Sequence, residues 1–154
     1  MTPVVTLDTI VHRVAARDVE GVVDELVAAL AQVHGLGRAE LRAGFGEREA
    51  LGSTAFGHGV AIPHARFDVA HPLAAVGLAP SGLTTRGPDD EPVRVVVALV
   101  SPPDGIQHLQ ALAILGRMLI APGAIAALLL APDRMGVLRQ LSRALEDDAS
   151  LRGA

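Results

Sequence analysis

The sequence contains no cysteine, no tryptophan and no tyrosine, and all 13 of its basic residues are arginine. Without thiols, disulfides, thiolate metal sites and cysteine nucleophiles are excluded. Without lysine, Schiff-base chemistry and the phosphate-loop pattern G-x-x-x-x-G-K-[ST] are excluded as well. Aromatic residues are only 2% of the chain, so there is almost nothing on which single-stranded bases could stack. The formal net charge of −4 also speaks against a nucleic-acid surface, which presents a basic stripe. Met1 to Ile10 lacks the basic segment and apolar run of a signal peptide. The most apolar stretch, Met118 to Leu130, is interrupted by Pro122-Gly123 and falls short of the ~20 residues that a spanning helix needs. Together these features predict a soluble, cytoplasmic protein that makes no direct membrane insertion.

What is present predicts one folded domain. The chain has 154 residues, 50% of them apolar and 19% charged. A chain of this length buries roughly 68–70% of the surface exposed when unfolded, here with leucine, valine, isoleucine and alanine. Asp18 followed by Val19, Val22, Val23, Leu26, Val27, Leu30 and Val33 has helical spacing, with Asp18 as N-cap and Gly35 as stop. A second helix is expected from Arg38 to about Ala50, weakened by Gly44 and Gly46. Gly59 to Pro63, Leu73 to Ala79 and Val93 to Val100 read as strands, the last a continuous apolar run suited to an interior strand covered on both faces. Pro80 to Pro92, with Gly82, Gly87 and Pro88, reads as a loop or loose hairpin. Asp104 and Gln107 have the spacing of a reciprocal cap for a helix presenting Leu109, Leu112, Ala113, Gly116, Leu119 and Ile120. A short helix over Gly123 to Ala131 and one capped by Asp133, carrying Met135, Leu138, Leu141 and Leu145, follow. Glu146 to Ala154 reads as a frayed tail. The interleaved strands and helices predict an α/β layered fold.

The stretch from Leu51 to Arg66, LGSTAFGHGVAIPHAR, is the most distinctive. Glycines bend the chain and Pro63 fixes its exit, framing His64. On local residues alone, His64 reads equally as a reactive imidazole or as a surface histidine after a strand. His108 falls in the first turn of a predicted helix, where the dipole favours a neutral imidazole beside an anion. The alternative is simple exposure there. Arg48 and Arg66 could each hold phosphate oxygens in a guanidinium fork or be solvated. Zinc ligation by His58, His64 and His71 is opposed by the length of extended chain between the first two. No HExxH, G-x-S-x-G or complete G-x-G-x-x-G pattern is present. His12 and His34 read as surface residues.

Arg48-Glu49-Ala50-Leu51-Gly52-Ser53-Thr54, followed by Gly57-His58-Gly59-Val60-Ala61-Ile62-Pro63-His64-Ala65-Arg66, resembles the signature of enzyme IIA of the phosphoenolpyruvate-dependent phosphotransferase system. The likeness is to the fructose–mannitol type, which includes nitrogen-regulatory (Ntr) members. His108-Leu109-Gln110-Ala111-Leu112-Ala113 looks like the family's second-histidine helix, and His71 to Val76 also fits. The likeness spans roughly Leu7 to Leu145 of a single enzyme IIA-like domain, 1–154. It implies a mixed β-sheet of about five strands flanked by helices on both faces. It also implies that His64 is the phosphorylated histidine and that His108 supports the phosphoryl group. Arg48 then stands beside the site, with Ser53, Thr54 and Arg66 as neighbours. No metal or cofactor is implied. The implied donor is HPr or its nitrogen-branch equivalent, and the acceptor is enzyme IIB or a regulatory target protein. The sequence departs from the family pattern at His58, in Thr84 to Pro92 and in Ser101-Pro102-Pro103-Asp104-Gly105. A phosphorylation-dependent binding regulator and a module that is never phosphorylated are the competing expectations.

Overall fold

The computed structural model describes residues 4–153. Residues 1–3 lie outside this range, and the chain from Val4 leads into an edge strand, β1 (Thr6–Val11). Helix α1 (Val19–His34) follows the predicted limits. The Asp18 carboxylate accepts from the Gly21 N–H, and Gly35 closes the helix in the left-handed conformation at φ 67°. Its buried stripe is Val19, Val22, Val23, Leu26, Val27 and Leu30. Helix α2 (Arg38–Glu49) is anchored by only two buried side chains, Leu41 and Phe45.

The remaining strands are β2 (Ala55–Gly57), β3 (Val60–Ala61), β4 (His64–Arg66), β5 (Leu73–Leu78) and β6 (Val95–Ser101). They form a mixed six-stranded sheet in the order β1-β5-β6-β3-β2, with β4 also paired to β6. β1 runs parallel to β5, β5 antiparallel to β6, and both β3 and β4 parallel to β6. The strand expected from Gly59 to Pro63 is therefore shorter. It breaks at Ile62-Pro63, where the Ile62 N–H still donates to the Thr54 carbonyl just before β2. Pro63 does not end the line of pairing, because its carbonyl accepts from the Leu99 N–H and His64 then opens β4.

All residues of β5 and β6 are buried, as a continuous apolar run predicts. Alternation divides them between two cores. Val95, Val97 and Leu99 face one core, shared with helices α3 (Gly105–Ile120), α4 (Ala124–Leu130) and α5 (Arg134–Gly153). Val96, Ala98 and Val100 face the other, shared with α1 and α2. At Gly77, a side chain would meet Val14, Val22 and Leu26 within 3.3 Å, so α1 rests directly on the β5 backbone.

Four expectations for the second half are corrected. The face of α3 that packs inward is His108, Ala111, Ile114, Leu115, Met118 and Leu119, whereas Leu109 and Ile120 are 66% and 55% exposed. The helix is apolar around much of its circumference, so periodicity alone misorients it. Gln107 does not return to the cap backbone; its amide donates to the Asp104 carboxylate at 3.4 Å, while that carboxylate accepts from the Ile106 N–H. The tail predicted to fray continues as α5 to Gly153, with Ala154 outside the described residues. Buried Asp148 extends the face of Leu141 and Leu145 and accepts from the Arg117 guanidinium at 2.8 Å. At the other end of α5, the Asp133 carboxylate accepts from the Gly136 N–H, and Met135 is exposed rather than packed. Among the described residues no single helix is long and apolar enough to cross a membrane.

Candidate phosphoryl site

Parallel pairing of β4 with β6 brings His64 level with Leu99 and Arg66 level with Ser101. Helix α3 starts just past the end of β6, so its first turn lies over that end of β4. Helix α2 approaches from the opposite core. A Cβ at Gly44 would stand 3.3 Å from the Ala65 Cβ, so this glycine lets α2 lie close against β4. One turn further along α2, Arg48 reaches His64.

The sequence-predicted residues His64, His108, Arg48 and Arg66 line one open pocket of about 390 Å3, together with Gly44, Glu47, Leu51 and Ala65. The His64 and His108 rings lie with centroids 5.1 Å apart and planes inclined by 52°. His64 Nδ1 is 2.8 Å from the Ile62 carbonyl oxygen, which can only accept. Arg48 Nε–H donates to His64 Nε2 at 3.0 Å, and a second Arg48 N–H donates to the Gly52 carbonyl at 3.1 Å. Because a guanidinium has no acceptor, Nε2 must offer its lone pair and Nδ1 must carry the proton. His64 is thus a neutral imidazole whose unprotonated nitrogen faces the pocket.

Burial pushes the His64 imidazole below the ordinary histidine value. The Ile62 hydrogen bond opposes this, Arg48 adds to it, and Glu49 and Arg66 contribute smaller effects of opposite sign. His108 is buried, and its Nδ1 stands 2.8 Å from Ser101 Oγ. Burial, followed by His64 and the two arginines, pushes its pKa down to about 4. Both rings are therefore neutral near pH 7, in a pocket whose fixed charges include two guanidiniums. Such a pocket suits an anion, and its lone-pair nitrogen suits an electrophilic phosphorus.

Ser53 and Thr54 are not among the pocket-lining residues. Ser53 Oγ accepts from the Ala55 N–H, and Thr54 donates both its N–H and its hydroxyl to Glu49. Thr54 acts on the pocket indirectly, since its carbonyl holds the Ile62 N–H and the Ile62 carbonyl holds His64. Arg66 reaches the Pro103 carbonyl just ahead of α3. His58 sits exposed at the β2–β3 turn with φ 57°, its N–H held by the Asp89 carboxylate at 3.0 Å. His12 binds the Ala131 carbonyl, and His34 lies 3.3 Å from Asp8. The sequence reading missed Ser101 as a partner of His108. Its signal was a hydroxyl ending an otherwise apolar strand.

Known proteins resemble this chain in sequence and in fold. The chain is 31% identical over 124 residues to the PTS system fructose-specific EIIABC component of Bacillus subtilis, covering 78% of this chain and 19% of that protein. It is 32% identical over 102 residues to the PTS system fructose-specific EIIA component of Haloferax volcanii, covering 65% of this chain and 66% of that protein. The chain thus spans about a fifth of the first relative's length and just under two thirds of the second's. The structure of nitrogen regulatory protein IIA-Ntr from Neisseria meningitidis superposes with a TM-score of 0.78 at 26% identity, covering 90% of this chain and 96% of that one. IIA mannitol of Escherichia coli superposes with a TM-score of 0.73 at 21% identity, covering 87% and 96%, and shares the fold. The family described as phosphoenolpyruvate-dependent sugar phosphotransferase system, EIIA 2, matches residues 4–151. With that match over nearly its whole length, the chain belongs to the EIIA 2 family of the phosphoenolpyruvate-dependent sugar phosphotransferase system.

Proposed function

We propose that this protein is a phosphohistidine carrier in which His64 accepts a phosphoryl group from a phosphorylated HPr-like protein and passes it to an enzyme IIB. The observation that carries this reading is the pose of His64, a neutral imidazole with its Nε2 lone pair turned into a pocket that also holds His108, Arg48 and Arg66. Nε2 attacks the phosphorus in line while the bond to the donor imidazole breaks, returning the electron pair to the donor nitrogen. Charge accumulates on the three equatorial oxygens. Arg48 leaves Nε2 and moves its N–H groups onto those oxygens, with His108 donating beside it. Delivery to the next acceptor reverses these steps. No metal ion or cofactor takes part, and the relay works in the cytoplasm, where its protein donors and acceptors meet.

Exposed apolar side chains support docking of proteins rather than binding of a free sugar. Leu51 is 83% exposed on the pocket rim, and Ile106 and Leu109 are 69% and 66% exposed on either side of His108 in sequence. A second reading, a regulator whose partners change with His64 phosphorylation, is supported by the likeness to IIA-Ntr. Both readings are tested by incubation with phosphoenolpyruvate, enzyme I and each candidate carrier, followed by addition of enzyme IIB. Acid-labile label that moves to the IIB protein supports the relay. Label that stays on this chain while its binding to a target protein changes supports the regulator. Absence of label with every carrier contradicts both.

A further inference from the structure

Each of the two facing histidines has its Nδ1 held by a different kind of group. The Ile62 carbonyl beside His64 can only accept, whereas the Ser101 hydroxyl beside His108 can also donate. Ser101 is fully buried at the end of β6, and His108 Nδ1 is its sole side-chain hydrogen-bond partner among the described residues. Its backbone carbonyl is separately engaged by the Phe67 N–H. If His108 Nδ1 carried the proton, the serine hydroxyl hydrogen would be buried without an acceptor, which native structures avoid. If the serine donates, its hydroxyl hydrogen and the Nδ1 lone pair satisfy each other, and the His108 proton sits on Nε2, on the pocket side.

We propose that Ser101 is a positioning residue: its hydroxyl donates to His108 Nδ1 and thereby holds His108 as the Nε2–H tautomer, opposite to that of His64. The pocket then contains one imidazole nitrogen with a lone pair, on His64, and one N–H, on His108. Attack and charge stabilisation need those two different groups. The low pKa of His108 gives the choice consequence, because a protonated ring would donate from both nitrogens whatever its partner. Ser101 acts through His108 and does not line the pocket.

This assignment rests on the proposed phosphoryl role of His108 for its purpose, but not for its test. Nitrogen-15 NMR of the unphosphorylated wild-type protein near pH 7 reads both tautomers without any carrier. The expected result is a pyridine-like Nδ1 and a pyrrole-like Nε2 on His108, with the reverse on His64. In Ser101→Ala, His108 should shift toward a mixture of tautomers while His64 keeps its signals, and Ser101→Thr should restore the wild-type pattern. Onward transfer of label should slow about tenfold in Ser101→Ala, less than the hundredfold or more that follows loss of a stabilising donor altogether. A pyrrole-like Nδ1 on wild-type His108, or a tautomer unmoved by Ser101→Ala, would overturn the proposal. So would disturbance of His64 equal to that of His108, which would mark Ser101 as merely structural. Failure of the wild-type protein to take label at all would instead remove the phosphoryl reading and leave the NMR result standing.

Discussion

Arg48 donates its Nε–H to Nε2 of His64 at 3.0 Å, so the nitrogen proposed to attack is covered by the cation proposed to stabilise the transferred group. Two consequences can be separated by substitution. Arg48→Ala removes the charge and the N–H on Nε2 while the Ile62 carbonyl still holds the proton on Nδ1, and should slow phosphorylation of His64 by about a hundredfold. Arg48→Lys keeps the charge but loses the planar fork, and should recover only part of the rate. Rapid-quench measurement of label transfer from the phosphorylated carrier checks both; equal rates in wild type and Arg48→Ala would refute the role.

The Gly44 contact predicts a geometric effect at a distance from the reacting atoms. Gly44 lets α2 lie so close to β4 that a Cβ added there would stand 3.3 Å from the Ala65 Cβ. Gly44→Val should push α2 outward, break the Arg48–His64 hydrogen bond and cost about 1–3 kcal/mol of stability through overpacking. Urea unfolding gives the stability, and the His64 nitrogen-15 signals report the lost bond.

Stability should depend on pH through buried His108 and half-buried His64. His108 takes up its proton at about 4 in the folded protein, against the ordinary value of 6.5 when unfolded. Between these values the unfolded chain binds more protons, so stability is fully present above pH 6.5 and falls as pH drops toward 4. The difference corresponds to about 3 kcal/mol for His108, and the lowered value of His64 acts in the same direction. His108→Gln should flatten this slope. Urea midpoints at pH 7 and pH 4.5 for wild type and variant test it.

Glu49 and Thr54 should matter for the frame of the site. The Thr54 hydroxyl donates to Glu49 Oε1 at 2.7 Å, and the Thr54 carbonyl supports Ile62. Thr54→Val leaves the carboxylate short of one donor and should cost about 1–3 kcal/mol. The folded protein should still take label, more slowly.

Leu109 predicts a separation of docking from chemistry. Because it is 66% exposed beside buried His108, Leu109→Asp should leave unfolding nearly unchanged while weakening the encounter with the carrier. A raised KM for the phosphorylated carrier with little change in kcat is the expected signature; an unchanged KM would remove Leu109 from the docking surface.

Much of this was legible in the sequence where local signals agreed. Asp18 and Gly35 bracket a clean apolar stripe, so α1 could be read to within a residue. The apolar run of β6 announced an interior strand. The site was legible only through the His64 motif and the family resemblance it carries. Nothing local places Arg48, His64 and His108 together, because that depends on parallel pairing of β4 with β6 and on the close approach at Gly44. The face of α3 was misread because Leu109 and Ile120 are apolar yet exposed. The end of α5 was misread because Asp148 looks like part of a solvated charge run until its pairing with Arg117 is seen.

The account turns on His64. Incubation with phosphoenolpyruvate, enzyme I and a cognate carrier should place acid-labile label on the wild type and none on His64→Ala. His108→Ala should keep some label but pass it on more slowly. Label that persists undiminished on His64→Ala would contradict the central claim.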